Sequence, residues 1–102
     1  MKDIQTLVDR INEELDDAET YVVLAAEQKD RHRSLAEVLF SLSQDEMRHS
    51  MTLHNEVVKL IEDYRKTEGE PPADMLAIYD YLHKLAIAKQ EKIKRLQQIY
   101  NG

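Results

Sequence analysis

Glu46 and His49 stand one helical turn apart in a segment whose apolar residues recur at three- and four-residue steps. On a helix turning about 100° per residue, the stripe formed by Leu35, Val38, Leu39, Leu42, Leu53, Val57, Leu60, Ile61 and Tyr64 centres near Leu39, Leu53 and Val57. Glu46 falls inside that stripe. An ionised carboxylate on such a face is costly unless it is paired, hydrogen-bonded or bound to a metal. His49 lies toward one edge of the same face, so both side chains can reach one cation. The plainer alternatives are a salt bridge or hydrogen bond for Glu46, with Ser43 and Ser50 beside it, and a half-exposed histidine beside Arg48.

A third donor is sought on the preceding helix. Glu14 shares a strip with Leu7, Ile11, Ala18, Tyr21 and Ala25, whereas Glu13 and Asp17 turn away. If the two helices form an antiparallel hairpin, Glu14 and Glu46 lie about 16 and 12 residues from the turn, a modest stagger for tilt to absorb. Glu19 fits the height slightly better and the facing worse, so Glu14 is the expected third donor, with Glu19 in its place, or an ordinary surface role for Glu14, as the alternatives. Tyr21, two turns beyond Glu14, is either a hydrogen-bond donor to a ligand carboxylate or simply a core aromatic. His32, His54 and His83 are read as solvated or locally bonded and are left out of the site.

The elements that position these residues follow from punctuation and periodicity. Both glycines come late, Gly69 and Gly102, and the prolines form one pair, Pro71-Pro72, so almost nothing interrupts a helical backbone before residue 69. A first helix is expected over about residues 3–30, with Ile4, Leu7, Val8, Ile11, Leu15, Ala18, Val22 and Ala25 on its apolar face and Asp9, Arg10, Glu13, Asp16 and Asp17 outside. A second helix, over about residues 34–67 and near 48 Å long at roughly 1.5 Å per residue, is expected to start with a capping box formed by Ser34 and Glu37. The third, about residues 73–100, opens on Pro72 as a first-turn proline and carries Leu76, Tyr79, Leu82, Leu85, Ala86, Ile93, Leu96 and Tyr100. Its apolar strip contains Lys89 and no carboxylate, so it cannot complete a metal pair.

At 102 residues the chain is expected to form a single helical domain, residues 1–102. A net charge of −6 with mixed signs argues against a nucleic-acid surface. Cysteine is absent, which excludes disulfides, thiolate metal sites and thiol nucleophiles and leaves oxygen and imidazole as donors. No apolar run is long enough for a bilayer and the start lacks the apolar stretch of a signal peptide, so a cytoplasmic location with no membrane partner is expected.

The segment Leu35-Ala-Glu-Val-Leu-Phe-Ser-Leu-Ser-Gln-Asp-Glu46-Met-Arg-His49 resembles the second helix of rubrerythrins and other ferritin-like proteins, and Glu14 through Tyr21-Val-Val-Leu-Ala-Ala26 resembles their first. The likeness covers about residues 10 to 64. It implies Glu14 as a terminal carboxylate ligand, Glu46 as a bridging carboxylate and His49 as the imidazole ligand of an iron, with Mn or Zn as other metals for such donors. The family's full site draws on four helices with a second Glu and a second Glu-x-x-His, which this chain lacks. Encapsulated ferritins are similar in carrying one such hairpin per chain and pairing two chains. The resemblance therefore implies an all-α, ferritin-like hairpin plus a third helix, its four-helix bundle completed by dimerisation. It further implies a di-iron site shared in a homodimer or larger even-numbered homo-oligomer, Fe(II) oxidation by O2 or peroxide, and, as an open question, an encapsulating shell partner. Two other functions fit the same residues: a helical assembly or adaptor module without metal, and a metal-buffering protein without turnover.

Overall fold

Gly69 and the Pro71-Pro72 pair are the only helix breakers before the last residue, and one of the two breaks between helices, residues 69–72, falls there; the other is the turn at residues 29–32. The structure is a computed structural model that describes residues 2–102. It consists of α1 (Lys2–Gln28), α2 (Arg33–Glu68) and α3 (Ala73–Asn101), with no strand among the described residues. None of these helices is long and apolar enough to cross a membrane.

The helix ends differ from expectation in ways the backbone explains. α1 stops at Gln28, whose carbonyl accepts from the Arg31 and His32 amides at 3.1 and 2.8 Å and so closes the turn early. The chain is already helical at Arg33, with His32 as the N-cap and its carbonyl accepting from Ala36 N at 2.9 Å. Ser34 is thereby inside the first turn, and the capping box with Glu37 does not form. At the other end Gly69 takes a φ of 84°, a left-handed backbone that glycine adopts without steric cost, and donates to the Arg65 carbonyl at 3.2 Å. Pro72 caps α3 from just outside the helix, its carbonyl accepting from Leu76 N at 3.1 Å, instead of occupying the first turn.

α1 and α2 form an antiparallel hairpin on a seven-residue repeat. Ile4, Ile11, Ala18 and Ala25 are buried along α1; Ala36, Ser43, Ser50 and Val57 are buried along α2. The Ser43 hydroxyl donates to the Ala18 carbonyl at 2.7 Å, which places those two residues level. The repeat then sets Ile11 beside Ser50, Ala25 beside Ala36 and Ile4 beside Val57. Small residues near the turn let the backbones approach, and larger ones fill the far end.

This corrects the expected stripe of α2. Its deepest line is Ala36, Ser43, Met47, Ser50 and Val57; Leu39, Glu46, Leu53 and Leu60 are a half-buried flank, and Leu35 and Val38 are exposed. The close hydroxyl-to-carbonyl approach admits serine where leucine would hold the helices apart. α1 has a matching flank, with Leu7, Glu14, Tyr21 and Gln28 all half-buried.

α3 lies against the other edge of the hairpin. Ile93 and Tyr100 are buried, Lys89 pairs with Asp16, Lys92 pairs with Glu19 at 3.4 Å, and Gln97 Nε2 donates to the Ser43 hydroxyl at 3.0 Å. Tyr100 stacks on Phe40 with ring centroids 4.6 Å apart. Leu85, expected on the buried strip, is exposed instead. The N-terminal half of α3 borders a cleft of about 430 Å³, lined by Tyr79, His83 and Ala86 of α3, by Ile11 of α1 and by Met51, His54 and Val58 of α2. Burying Leu15, Val22 and Ile93 fully contributes about 1.5–3 kcal/mol each.

Candidate metal centre

With the turn at residues 29–32, Glu14 and Glu46 are nearly equidistant from it, so the stagger expected from the sequence largely disappears. The Ser43 to Ala18 hydrogen bond gives the same register, because Glu46 lies one turn beyond Ser43 and Glu14 one turn before Ala18. In antiparallel helices those two steps run in the same direction.

The two carboxylates and His49 meet at this level. His49 Nδ1 is 3.6 Å from Glu14 Oε2 and 3.7 Å from Glu46 Oε2, and one donor atom from each of the three residues lies within 4.8 Å of the others. The carboxylate side chains are 16 % and 18 % exposed, and the His49 ring stands at the mouth, open to solvent. No other group of three such residues converges in this way among the described residues.

Glu19 is directed elsewhere, toward Lys92 on the α3 edge, so Glu14 is the helix-one acid that joins Glu46 and His49. Tyr21 is half-buried on the Glu14 row and is not a member of the cluster. His54 and His83 stack on each other at 4.8 Å between centroids, far around the helix from His49, and His32 is exposed at the N-cap of α2. Arg10 is the neighbour that the sequence reading passed over. Its Nε lies 3.8 Å from Glu14 Oε1 while its Nη1 bonds Glu13, and the four-residue spacing from Glu14 was the available signal.

No protein-family model, curated protein or solved structure matches the chain. The donor set itself therefore carries the chemistry. Metal–ligand bonds to imidazole nitrogen and carboxylate oxygen are about 2.0–2.2 Å, so donors around one ion sit roughly 3 Å apart. The His49 nitrogen, at 3.6 and 3.7 Å from the two carboxylates, is within about 1 Å of that spacing, and the widest separation in the trio, up to 4.8 Å, closes to it with about 2 Å of side-chain movement. Two hard oxygens and one borderline nitrogen suit Fe, Mn or Zn better than a soft metal. They also leave coordination positions to be filled from the solvent side.

Proposed function

We propose that the chain is one half of a ferritin-like di-iron protein, in which two copies face each other across the edge carrying Glu14, Glu46 and His49. The observation that carries this reading is the seam itself. Two partly buried carboxylates and an imidazole converge midway along a half-buried flank, with exposed Leu35 and Val38 two to three turns earlier on α2, on the side of the hairpin that α3 leaves uncovered. A second copy related by a two-fold axis would cover that seam with the same residues, making four helices and two sets of donors.

In this arrangement Glu46 would serve as the carboxylate shared by the two ions, and Glu14 and His49 as donors to one of them. Iron held by such donors supplies one-electron redox chemistry toward O2 or peroxide. Apolar Leu42 and Leu53, within two turns of Glu46, limit water around the carboxylates and strengthen their hold on a cation.

Protein purified from iron-supplemented cells should carry about one iron per chain in an even-numbered oligomer. A metal-free monomer would overturn the reading. Added aerobically, Fe(II) should give ferric absorbance faster with the parent than with Glu46→Ala; equal rates would remove the oxidase claim and leave binding alone.

Arg10 beside Glu14 favours a second reading, a metal-free helical assembly module whose polar trio is held by ion pairs. It requires that neither Fe(II) nor Zn(II) bind above background.

A further inference from the structure

The packing of α3 against the hairpin leaves a second apolar line on its outer face. Ile78, Tyr81 and Leu85 are 57 %, 63 % and 50 % exposed, and Ile99, further along, is 73 % exposed. With Ala88, Lys92 and Arg95 they occupy alternating three- and four-residue steps, the spacing of a coiled-coil seam. None of these residues is needed for the chain's own core, whose α3 contribution comes from Tyr79, Ala86, Ile93, Leu96 and Tyr100. Scattered apolar residues on a surface need no explanation; a continuous row at coiled-coil spacing does.

Charge along this row selects the occupant. Asp74 stands at its N-terminal end, just after Glu68 and Glu70 of the preceding turn, and Lys92 and Arg95 stand toward its C-terminal end. A second α3 laid parallel would set Asp74 on Asp74 and Lys92 on Lys92. Laid antiparallel and centred near residue 83, it sets Tyr81 on the partner's Leu85, Ile78 on the partner's Ala88 and Asp74 on the partner's Lys92. Apolar meets apolar in the central layers and acid meets base in the layer outside them, while Arg95 and Ile99 extend past the partner's α3; the pairing is self-complementary, as a two-fold interface requires.

We infer that the outer face of α3 is an interface on which a second copy of this chain docks antiparallel, α3 against α3. The face is separate from the seam of Glu14, Glu46 and His49, which lies on the hairpin edge away from α3, so a chain can use both at once. Two distinct two-fold faces on one chain link pairs into assemblies larger than a dimer.

The chain has no cysteine, so cross-linking reads this contact without background. Under copper–phenanthroline oxidation of the metal-free chain, the double variant Ile78→Cys with Ala88→Cys should form disulfide-linked pairs of chains on a non-reducing gel. Each single variant should remain mostly unlinked, because the antiparallel register brings residue 78 to residue 88 and not to itself. Efficient linking of either single variant, or none in the double, overturns the proposal; the latter leaves the row to a different partner. In a Glu19→Gln background, which removes the contact Lys92 makes within its own chain, Asp74→Lys and Lys92→Asp should each weaken association at this face in sedimentation equilibrium about fivefold or more, two copies of the ion pair being lost per interface, and the two together should restore it. Positions 74, 78, 88 and 92 are exposed, and helical content by circular dichroism shows that the variants fold. Restoration failing in the double reversal counts against the antiparallel register whatever the chain binds at Glu14, Glu46 and His49.

Discussion

The Ser43 hydroxyl donates to the Ala18 carbonyl at 2.7 Å, one turn from Glu46 on its own helix and one turn from Glu14 on the other. A small polar side chain thus sets the height at which the two carboxylates meet. Ser43 also accepts from Gln97 Nε2 at 3.0 Å, so all three helices are tied at this residue. Ser43→Ala should lower stability in urea unfolding by about 1–2 kcal/mol, chiefly because the Gln97 amide loses its partner. Ser43→Leu should cost a further 1–3 kcal/mol, roughly, by overpacking. It should also weaken Zn(II) or Fe(II) binding although no donor has changed, since it moves Glu46 relative to Glu14.

Arg10 holds the outer oxygen of Glu14 from an exposed position. A cation entering beside Glu14 must compete with it. Arg10→Ala should tighten divalent metal binding by roughly two- to fivefold, the range set by solvent-screened ion pairs, as read by isothermal titration. Unchanged or weaker binding would show that Arg10 supports the carboxylate instead of competing for it.

The stacked pair of His54 and His83 makes the junction of α2 and α3 sensitive to acid. Burial first, and the neighbouring His83 second, lower the pKa of His54 below its ordinary value. Its folded form therefore binds protons less readily than its unfolded form. The resulting stability is complete above the unfolded-state pKa and is lost as pH falls from there through the folded value. Asp80 is the acid lining the same cleft, and it is already paired with Lys84 at 3.0 Å. Thermal midpoints should fall between about pH 7 and pH 5, and His54→Gln should flatten that slope. A parallel slope in the variant would assign the effect to other groups.

Tyr100 is buried with its ring stacked on Phe40 and its hydroxyl without a partner, while Lys29 Nζ sits 4.6 Å above the ring centre. Tyr100→Phe keeps the stacking and removes an unsatisfied oxygen. It should be neutral or stabilising by up to about 1–2 kcal/mol. Tyr100→Ala should cost about 3–5 kcal/mol.

The three helices were legible because Gly69 and Pro71-Pro72 leave few places to break and the apolar repeats are long. The convergence of Glu14, Glu46 and His49 was legible for a related reason: in an antiparallel pair, facing and distance from the turn together fix which side chains meet. Two things were hidden. Facing already favoured Glu14 over Glu19, but the edge that α3 occupies, where Glu19 meets Lys92, could not be read from the sequence. The deepest line of α2 was misplaced because its leucines divide between a half-buried flank and an exposed edge. Averaging their directions points between faces, while Ser43 and Ser50, which reach zero exposure, count as polar in any such average.

The cleft beneath the N-terminal half of α3 also means that this helix is not held evenly along its length. Its final turns are anchored by Ile93, Tyr100, Gln97 and two lysine pairs, whereas the turns after Ala73 border the cleft. Amide protons from Met75 to about His83 should therefore exchange with deuterium well before those around Ile93, through partial detachment that leaves the α1–α2 hairpin intact. Folding stability and the integrity of the Glu14, Glu46 and His49 seam are in that sense separable, because the segment that opens first lies on the α3 side of the hairpin and the seam on the other edge.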